Sequence, residues 1–261
     1  MNESSFRLHV RTLTGPVVTR SSIRAALVLV AIAGAISLAA LAAAAPRGQT
    51  TANRTTRHLI GHSVRGRPIY AYQRGNPSGP TVLVVGSIHG NEAAGIDDAR
   101  RLLRMQPPEG VDLWVIPSLN PDGRAANTRQ NAHGVDLNRN FPWRWRHLSG
   151  AFYSGRHSLS EPESRAAYRL ILRLQPFVTI WFHQPLGVVG RTKSSSALQR
   201  GFARLSGLPL KRLPSYPGSA TSWERHAIPV TTAFVVELPG GKIGARAVSR
   251  YARTVLTVSS E

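Results

Sequence analysis

The run Thr81-Val-Leu-Val-Val-Gly86, followed at once by Ser-Ile-His89-Gly-Asn-Glu92, decides how this chain folds. Five apolar or β-branched residues with no polar interruption suit a strand buried on both faces, as in the interior of a parallel sheet. A helical pattern, Glu92 to Met105, begins within a few residues of its end. Working outward, strand-like runs recur at Pro68 to Gln73, Val111 to Pro117, Phe177 to His183 and Thr231 to Leu238. Helical patterns recur at Glu161 to Leu174, Ser195 to Leu205 and Ile243 to Val258. Ser160, Pro162 and Glu163 predict a capping box with proline in the first turn of the second helix. Strands alternating with helices specify a single α/β domain, an α/β/α sandwich around a mixed, largely parallel sheet. No internal repeat is present.

The chain has 261 residues, 42% of them hydrophobic, and no cysteine. That suffices for one sizeable core and argues against disorder, disulfide scaffolds and thiolate metal sites. Ala25 to Ala45 is an unbroken run of Ala, Leu, Val and Ile apart from Gly34 and Ser37, preceded by Arg7, Arg11, Arg20 and Arg24 and one acid, Glu3. As a helix it would reach about 30 Å, enough to span a bilayer, and it ends in small residues that a signal peptidase accepts. A cleaved signal and an uncleaved anchor both fit. In either case the positive flank stays inside and everything after Pro46 is exported. The expected location is therefore extracytoplasmic, either secreted or anchored by residues 25–45. Residues 46–57 are polar and unpatterned and read as a linker, with the folded domain, 58–261, starting near His58.

Beyond residue 45, 29 basic residues face 12 acidic ones, a net charge of +17. Such a charge favours anionic partners, here the cell-envelope surface. Arginine dominates the basic residues and is dispersed along the chain without a long basic run. No nucleic acid partner is expected, and the domain is expected to be a monomer.

Sites in such sheets gather where strands end. His89 and Glu92 stand three apart at a strand-to-helix turn and can converge on one metal ion. His183 closes the run Val178-Thr-Ile-Trp-Phe-His183, and Glu237 ends Phe234-Val-Val-Glu237. A carboxylate there is costly to bury without a partner. A lone strand-end histidine is usually structural, but three strand ends carrying such groups together are a stronger signal. Two histidines and a glutamate leave a fourth zinc position open for water, which is a catalytic arrangement.

These residues belong to a longer ordered series. Ile60-Gly-His-Ser-Val-Arg-Gly-Arg67-Pro-Ile, Gly86-Ser-Ile-His-Gly-Asn-Glu92, Asn120-Pro-Asp-Gly123, Thr128-Arg-Gln-Asn131 and Gly134-Val-Asp-Leu-Asn-Arg-Asn-Phe-Pro142 form its first part. Ser160-Glu-Pro-Glu163, His183 and Val236-Glu-Leu-Pro239 complete it. Across residues 58–258 the chain resembles the zinc carboxypeptidases of the carboxypeptidase A type, and among them the bacterial branch that cleaves murein peptides.

The resemblance implies that His89, Glu92 and His183 bind one zinc ion per chain and that Glu237 is the general base and proton shuttle. It also implies that Arg129 stabilises the oxyanion, that Asn138 and Arg139 grip the substrate's terminal carboxylate, and that Asp136 orients His89. Read alone, Asp136, Asn138 and Asn140 are turn chemistry. The family supplies a mobile tyrosine upstream of a Gly-Ser and Trp segment. Tyr216 is the nearest match, although it lies closer to Trp223 than in the animal digestive enzymes. The exported part is short, about 216 residues, so several family loops must be trimmed and the cleft left open.

The expected activity is hydrolysis of an amide bond next to a free carboxylate, in a peptide or muropeptide such as one with a γ-D-glutamyl-diaminopimelate bond. One alternative is an N-acyl amino acid deacylase resembling aspartoacylase and succinylglutamate desuccinylase. Another is a catalytically inactive basic protein that binds the cell wall.

Overall fold

A computed structural model describes residues 54–192 and 196–260. The apolar run 25–45 and residues 46–53 of the stretch read as linker lie outside these residues. In chain order the first elements are β1 (Thr56–His62), β2 (Pro68–Gly75), β3 (Thr81–Val85), α1 (Ala94–Leu102), β4 (Asp112–Ile116) and α2 (Pro121–Ala126). Then come α3 (Pro162–Leu174), β5 (Val178–His183), β6 (Leu186–Arg191), α4 (Ala197–Ser206) and β7 (Leu210–Arg212). The chain finishes with α5 (Ala220–Ala227), β8 (Thr232–Pro239) and α6 (Ala245–Val258).

The strands form one sheet in the order β1-β2-β4-β3-β5-β8-β6-β7. Its centre, β4-β3-β5-β8, is parallel throughout. β2 and β1 add antiparallel pairs on one side, and β6 joins β8 antiparallel on the other with β7 parallel to β6. The sheet is thus mixed with a parallel core, as the sequence predicts.

Side chains alternate across the pleat. Val82, Val84, Ile180, Phe182, Phe234 and Val236 pack on one face against Ala99 and Leu102 of α1, Phe202 of α4 and Val255 of α6. Leu83, Val85 and Trp181 pack on the other face against Ala167, Leu170 and Ile171 of α3 and Trp223 of α5. Burial on both faces is why β3 and β5 read as continuous apolar runs.

Three details differ from the sequence reading. β1 begins at Thr56, so Thr56 and Arg57 belong to a strand and not to a linker. β1, β6, β7, α2 and α5 were not foreseen, because each is short, at an edge, or without a clean apolar period. The capping box at α3 does not form: the N-cap is Glu161, and no side chain caps it. Ser160 Oγ donates instead to Glu161 Oε1, and Glu163 accepts from the backbone of Val64 and the amide of Asn131. These partners, adjacent for Ser160 and distant in sequence for Glu163, occupy both groups that the capping box would use. Pro162 does occupy the first turn.

Candidate active site

Three strand ends converge at one end of the parallel core. His89 follows β3 by four residues, and Glu92 N donates to His89 O at 3.2 Å, closing a tight turn that turns both side chains the same way. Gly90 lies between them because a Cβ there would fall 1.9 Å from the carbonyl carbon of Gly123, at α2. His183 ends β5, directly in register with Glu237 on β8.

His89 Nδ1 lies 2.8 Å from Glu92 Oε1, and His183 Nδ1 lies 3.0 Å from Glu92 Oε2. The two Nδ1 atoms are 3.2 Å apart. Among the described residues, His89, Glu92 and His183 form the one group of His, Asp or Glu side chains able to offer ligand atoms all within 4.8 Å of one another. All three are buried. Two imidazole nitrogens facing each other across a carboxylate are a donor set that a small dication satisfies, and its composition suits zinc. His89 Nε2 lies 3.0 Å from Asp136 Oδ1, and a proton held there leaves the Nδ1 lone pair facing Glu92 and His183.

The electrostatics follow from that packing. Burial opposes the charged form of Glu92, but His183 and His89 outweigh it and hold the carboxyl well below the usual range. Asp136, wholly buried, is likewise held low by His89, Arg129 and Arg139. Burial would lower the His89 pKa, yet its bonds to Asp136 and Glu92 raise it. Glu237 behaves oppositely: burial raises its pKa, and its Oε2 has no hydrogen-bond partner.

Arg129 donates from Nε to Asp136 Oδ2 at 3.0 Å and from Nη1 to Glu92 Oε1 at 3.3 Å. Asp136 opens a 3-10 turn, Leu137–Arg139, by accepting from Asn138 N. Asn138 Oδ1 accepts from Ala220 N at 2.9 Å, tying this turn to α5. Arg139 is buried, gives Nη1 to Asn138 O, and has no partner at Nε. Its guanidinium carbon lies 4.1 Å from the centre of the Tyr216 ring and 5.2 Å from that of Phe152. Gly218 makes this possible: its φ is +68°, and a Cβ there would fall 2.1 Å from Arg139 O. Asn140 is structural, with Nδ2 donating to Ser154 O, His157 O and Ser160 Oγ.

His89, Glu92, Arg129, Asn138, Arg139, His183, Tyr216 and Glu237 all line one cleft of about 780 Å³, with Asp136 behind His89. Every residue singled out from the sequence thus meets in one region. Gln184 was missed, although its position beside His183 was a signal. Its Oε1 accepts from Ala94 N, and its Nε2 donates to Pro239 O and Gly241 O. Phe152 and the lining arginines Arg144, Arg191, Arg212 and Arg225 were also missed, and no local pattern marks them.

A family model for zinc carboxypeptidases matches residues 47–184. The chain belongs to the zinc carboxypeptidase family. It is 31% identical over 194 residues to murein peptide amidase A of Escherichia coli K12, an alignment covering 68% of this chain and 80% of that protein. The murein peptide amidase A of Vibrio campbellii is 32% identical over 211 residues, covering 74% of this chain and 84% of that one. The crystal structure of murein-tripeptide amidase from Escherichia coli O157 superposes with a TM-score of 0.65 at 28% identity, over 82% of this chain and 95% of that one. Carboxypeptidase A of Helicoverpa armigera has the same fold, with a TM-score of 0.69 at 17% identity over 80% of this chain and 68% of that one. This zinc carboxypeptidase is accordingly a hydrolase of the metallocarboxypeptidase type that uses one zinc ion, for which the His-Glu-His group supplies a fitting donor set.

Proposed function

We propose that this enzyme hydrolyses an amide bond next to a free carboxylate in peptidoglycan stem peptides, outside the cytoplasm. The observation that carries the reading is Glu237, a carboxyl with one unpartnered oxygen, in register with His183 and in the same cleft as the donor group. The substrate class is supported by the murein peptide amidases that this chain resembles over at least four-fifths of their length. Export is supported by the positive flank and apolar run that precede Pro46.

His89, Glu92 and His183 hold the zinc. When bound, the ion supplies Lewis acidity and lowers the pKa of a water towards roughly 7. Glu237 takes the proton of the attacking water through its unpaired oxygen and delivers it to the leaving amine. One C–O bond forms and the C–N bond breaks. Arg129 aims fixed donors at the carbonyl oxygen as negative charge develops there. Arg139 offers its guanidinium, with Asn138 beside it, to the carboxylate of the leaving residue. Tyr216 covers the Arg139 guanidinium and closes over that carboxylate. Asp136 keeps His89 in the ligating tautomer.

The test is an assay of the full-length, zinc-loaded protein on a stem tripeptide, its C-terminally amidated analogue and an N-acylated single amino acid. Chelator-sensitive release of the terminal residue from the acid, and far less from the amide, is expected. Arg139→Ala should raise KM for the acid by about tenfold or more while hardly changing the amide. Efficient deacylation of the single amino acid without tripeptide cleavage would overturn the reading. For export, protease added outside intact spheroplasts should digest the folded domain; full protection would refute it.

A further inference from the structure

Phe152 lines the cleft from the 3-10 turn Gly150–Phe152 and is 44% exposed. A single exposed phenylalanine is ordinary on a protein surface. This one is pinned on both sides. Gln130 Nε2 donates to Ala151 O at 3.0 Å, and Asp136 N donates to Tyr153 O at 2.8 Å. Gly150, at a φ of +62°, opens the turn, and its carbonyl accepts from Tyr153 N at 3.0 Å. The backbone around Phe152 is thereby bonded to the neighbour of Arg129 and to the aspartate that Arg129 itself binds.

The ring meets both arginines of the site. The guanidinium carbon of Arg139 lies 5.2 Å from its centre and that of Arg129 lies 5.6 Å away, each within the roughly 6 Å at which an aromatic face attracts a cation. Tyr216 stacks on Phe152, with ring centres 6.0 Å apart and planes 22° apart. The two cations are otherwise held differently. Arg129 is paired with Asp136 and Glu92. Arg139 is buried, and among the described residues no carboxylate lies within ion-pair distance of it. Burial and the charge of Arg129 both oppose its charged form, and Asp136 acts against them from beyond pairing distance. A carboxylate beside Arg139 would steady it but would take N–H groups that a substrate carboxylate needs. An aromatic face steadies the same cation and leaves those N–H groups open.

We infer that Phe152 is a positioning residue for this hydrolysis, its ring holding Arg139 towards the substrate's terminal carboxylate and Arg129 towards the scissile carbonyl. The inference rests on the roles proposed above for the two arginines and adds the group that sets them. Phe152 acts through the guanidinium groups, on KM by way of Arg139 and on kcat by way of Arg129.

The test uses the full-length, zinc-loaded protein on the stem tripeptide and on an acyl dipeptide, each as the free acid and as the C-terminal amide. Phe152→Leu keeps the apolar bulk and removes the aromatic face. It should lower the acid-over-amide ratio in kcat/KM by about fivefold or more, through KM for the acids, and lower kcat by about threefold on acids and amides alike. Phe152→Tyr should keep most of both, and zinc should stay at one per chain in each variant. In an Arg139→Ala background, Phe152→Leu should leave the ratio where it stands, because the group it acts through is gone. A ratio unchanged by Phe152→Leu, or lowered equally in the Arg139→Ala background, overturns the link to Arg139. An unchanged kcat overturns the link to Arg129. A tyrosine variant as impaired as the leucine variant, or loss of zinc from the leucine variant, makes Phe152 a packing residue and overturns the inference. Cleavage of the dipeptide alone removes the stem-peptide reading, yet Phe152 keeps its role if the dipeptide ratio still falls. Cleavage of neither substrate, or a wild-type ratio near one, overturns both.

Discussion

Glu237 enters the cleft from β8 with one oxygen unpaired and a pKa raised by burial, so its substitution separates metal binding from proton transfer. Glu237→Gln keeps the shape and removes the base: kcat should fall by about 100- to 10,000-fold while zinc content stays at one per chain. His183→Ala should lose the metal as well, and atomic absorption on both variants checks the contrast. Loss of zinc in the glutamine variant would make Glu237 a ligand and not a base. Asp98 is a second buried carboxyl, on α1, with neither oxygen hydrogen-bonded and its pKa pushed up to about 8 by burial. Its folded pKa lies above the ordinary 3.8, so between those values the unfolded chain releases a proton that the fold retains. Stability must therefore fall as pH rises from about 4 to about 8 and stay low beyond. Asp98→Asn should flatten that slope, raising Tm by on the order of 5 °C at pH 8.5 and by far less near pH 4. An unchanged slope across a pH series of melts would show that Asp98 is ionised in the folded protein.

At the scale of elements, the site depends on how β5, β8 and α1 are held together where they end. Gln184 does this with one amide, accepting at 3.0 Å from Ala94 N, the first residue of α1, and donating at 2.7 Å to Pro239 O, the last residue of β8. Those elements carry or adjoin Glu92, Glu237 and His183. Gln184→Ala unpairs Ala94 N on α1 and Pro239 O on β8, so zinc affinity should drop by about 10- to 100-fold, read by competition with a chelator. Unchanged affinity would mean that the sheet alone fixes the ligands. The parallel strands and the four longer helices were legible because both faces of the sheet are covered and each helix has one apolar stripe. β6, Leu-Gly-Val-Val-Gly-Arg, was not, since two glycines break its apolar run, and α5 is too short to show a period. The metal ligands were legible from strand-end position, whereas Arg129, Asn138 and Arg139 came from family resemblance alone. Their local signal is that of a turn, because Asp136 does cap one.

For the molecule as a whole, the sequence announces a large positive charge but not where it acts, since dispersed arginines show no pattern until the strands bring them together. In the folded protein the cleft is lined by Arg129, Arg139, Arg144, Arg191, Arg212 and Arg225, with Glu92 and Glu237 as its acids. Glu92 is occupied by the two histidines, so the field at the mouth is strongly positive. A walled cleft concentrates that field on incoming anions, and salt screens it over about 8 Å at physiological ionic strength. Raising NaCl from about 0.1 M to about 0.5 M should therefore cut kcat/KM for a stem tripeptide by about five- to tenfold, through KM and with kcat nearly constant. A peptide whose only carboxylate is the terminal one should lose about half as much on a logarithmic scale, because fewer of its charges enter the field. Steady-state kinetics at several salt concentrations separates this from a direct effect on the reaction: an equal fall for both peptides, or one carried by kcat, would show that the cleft's charge does not select the substrate.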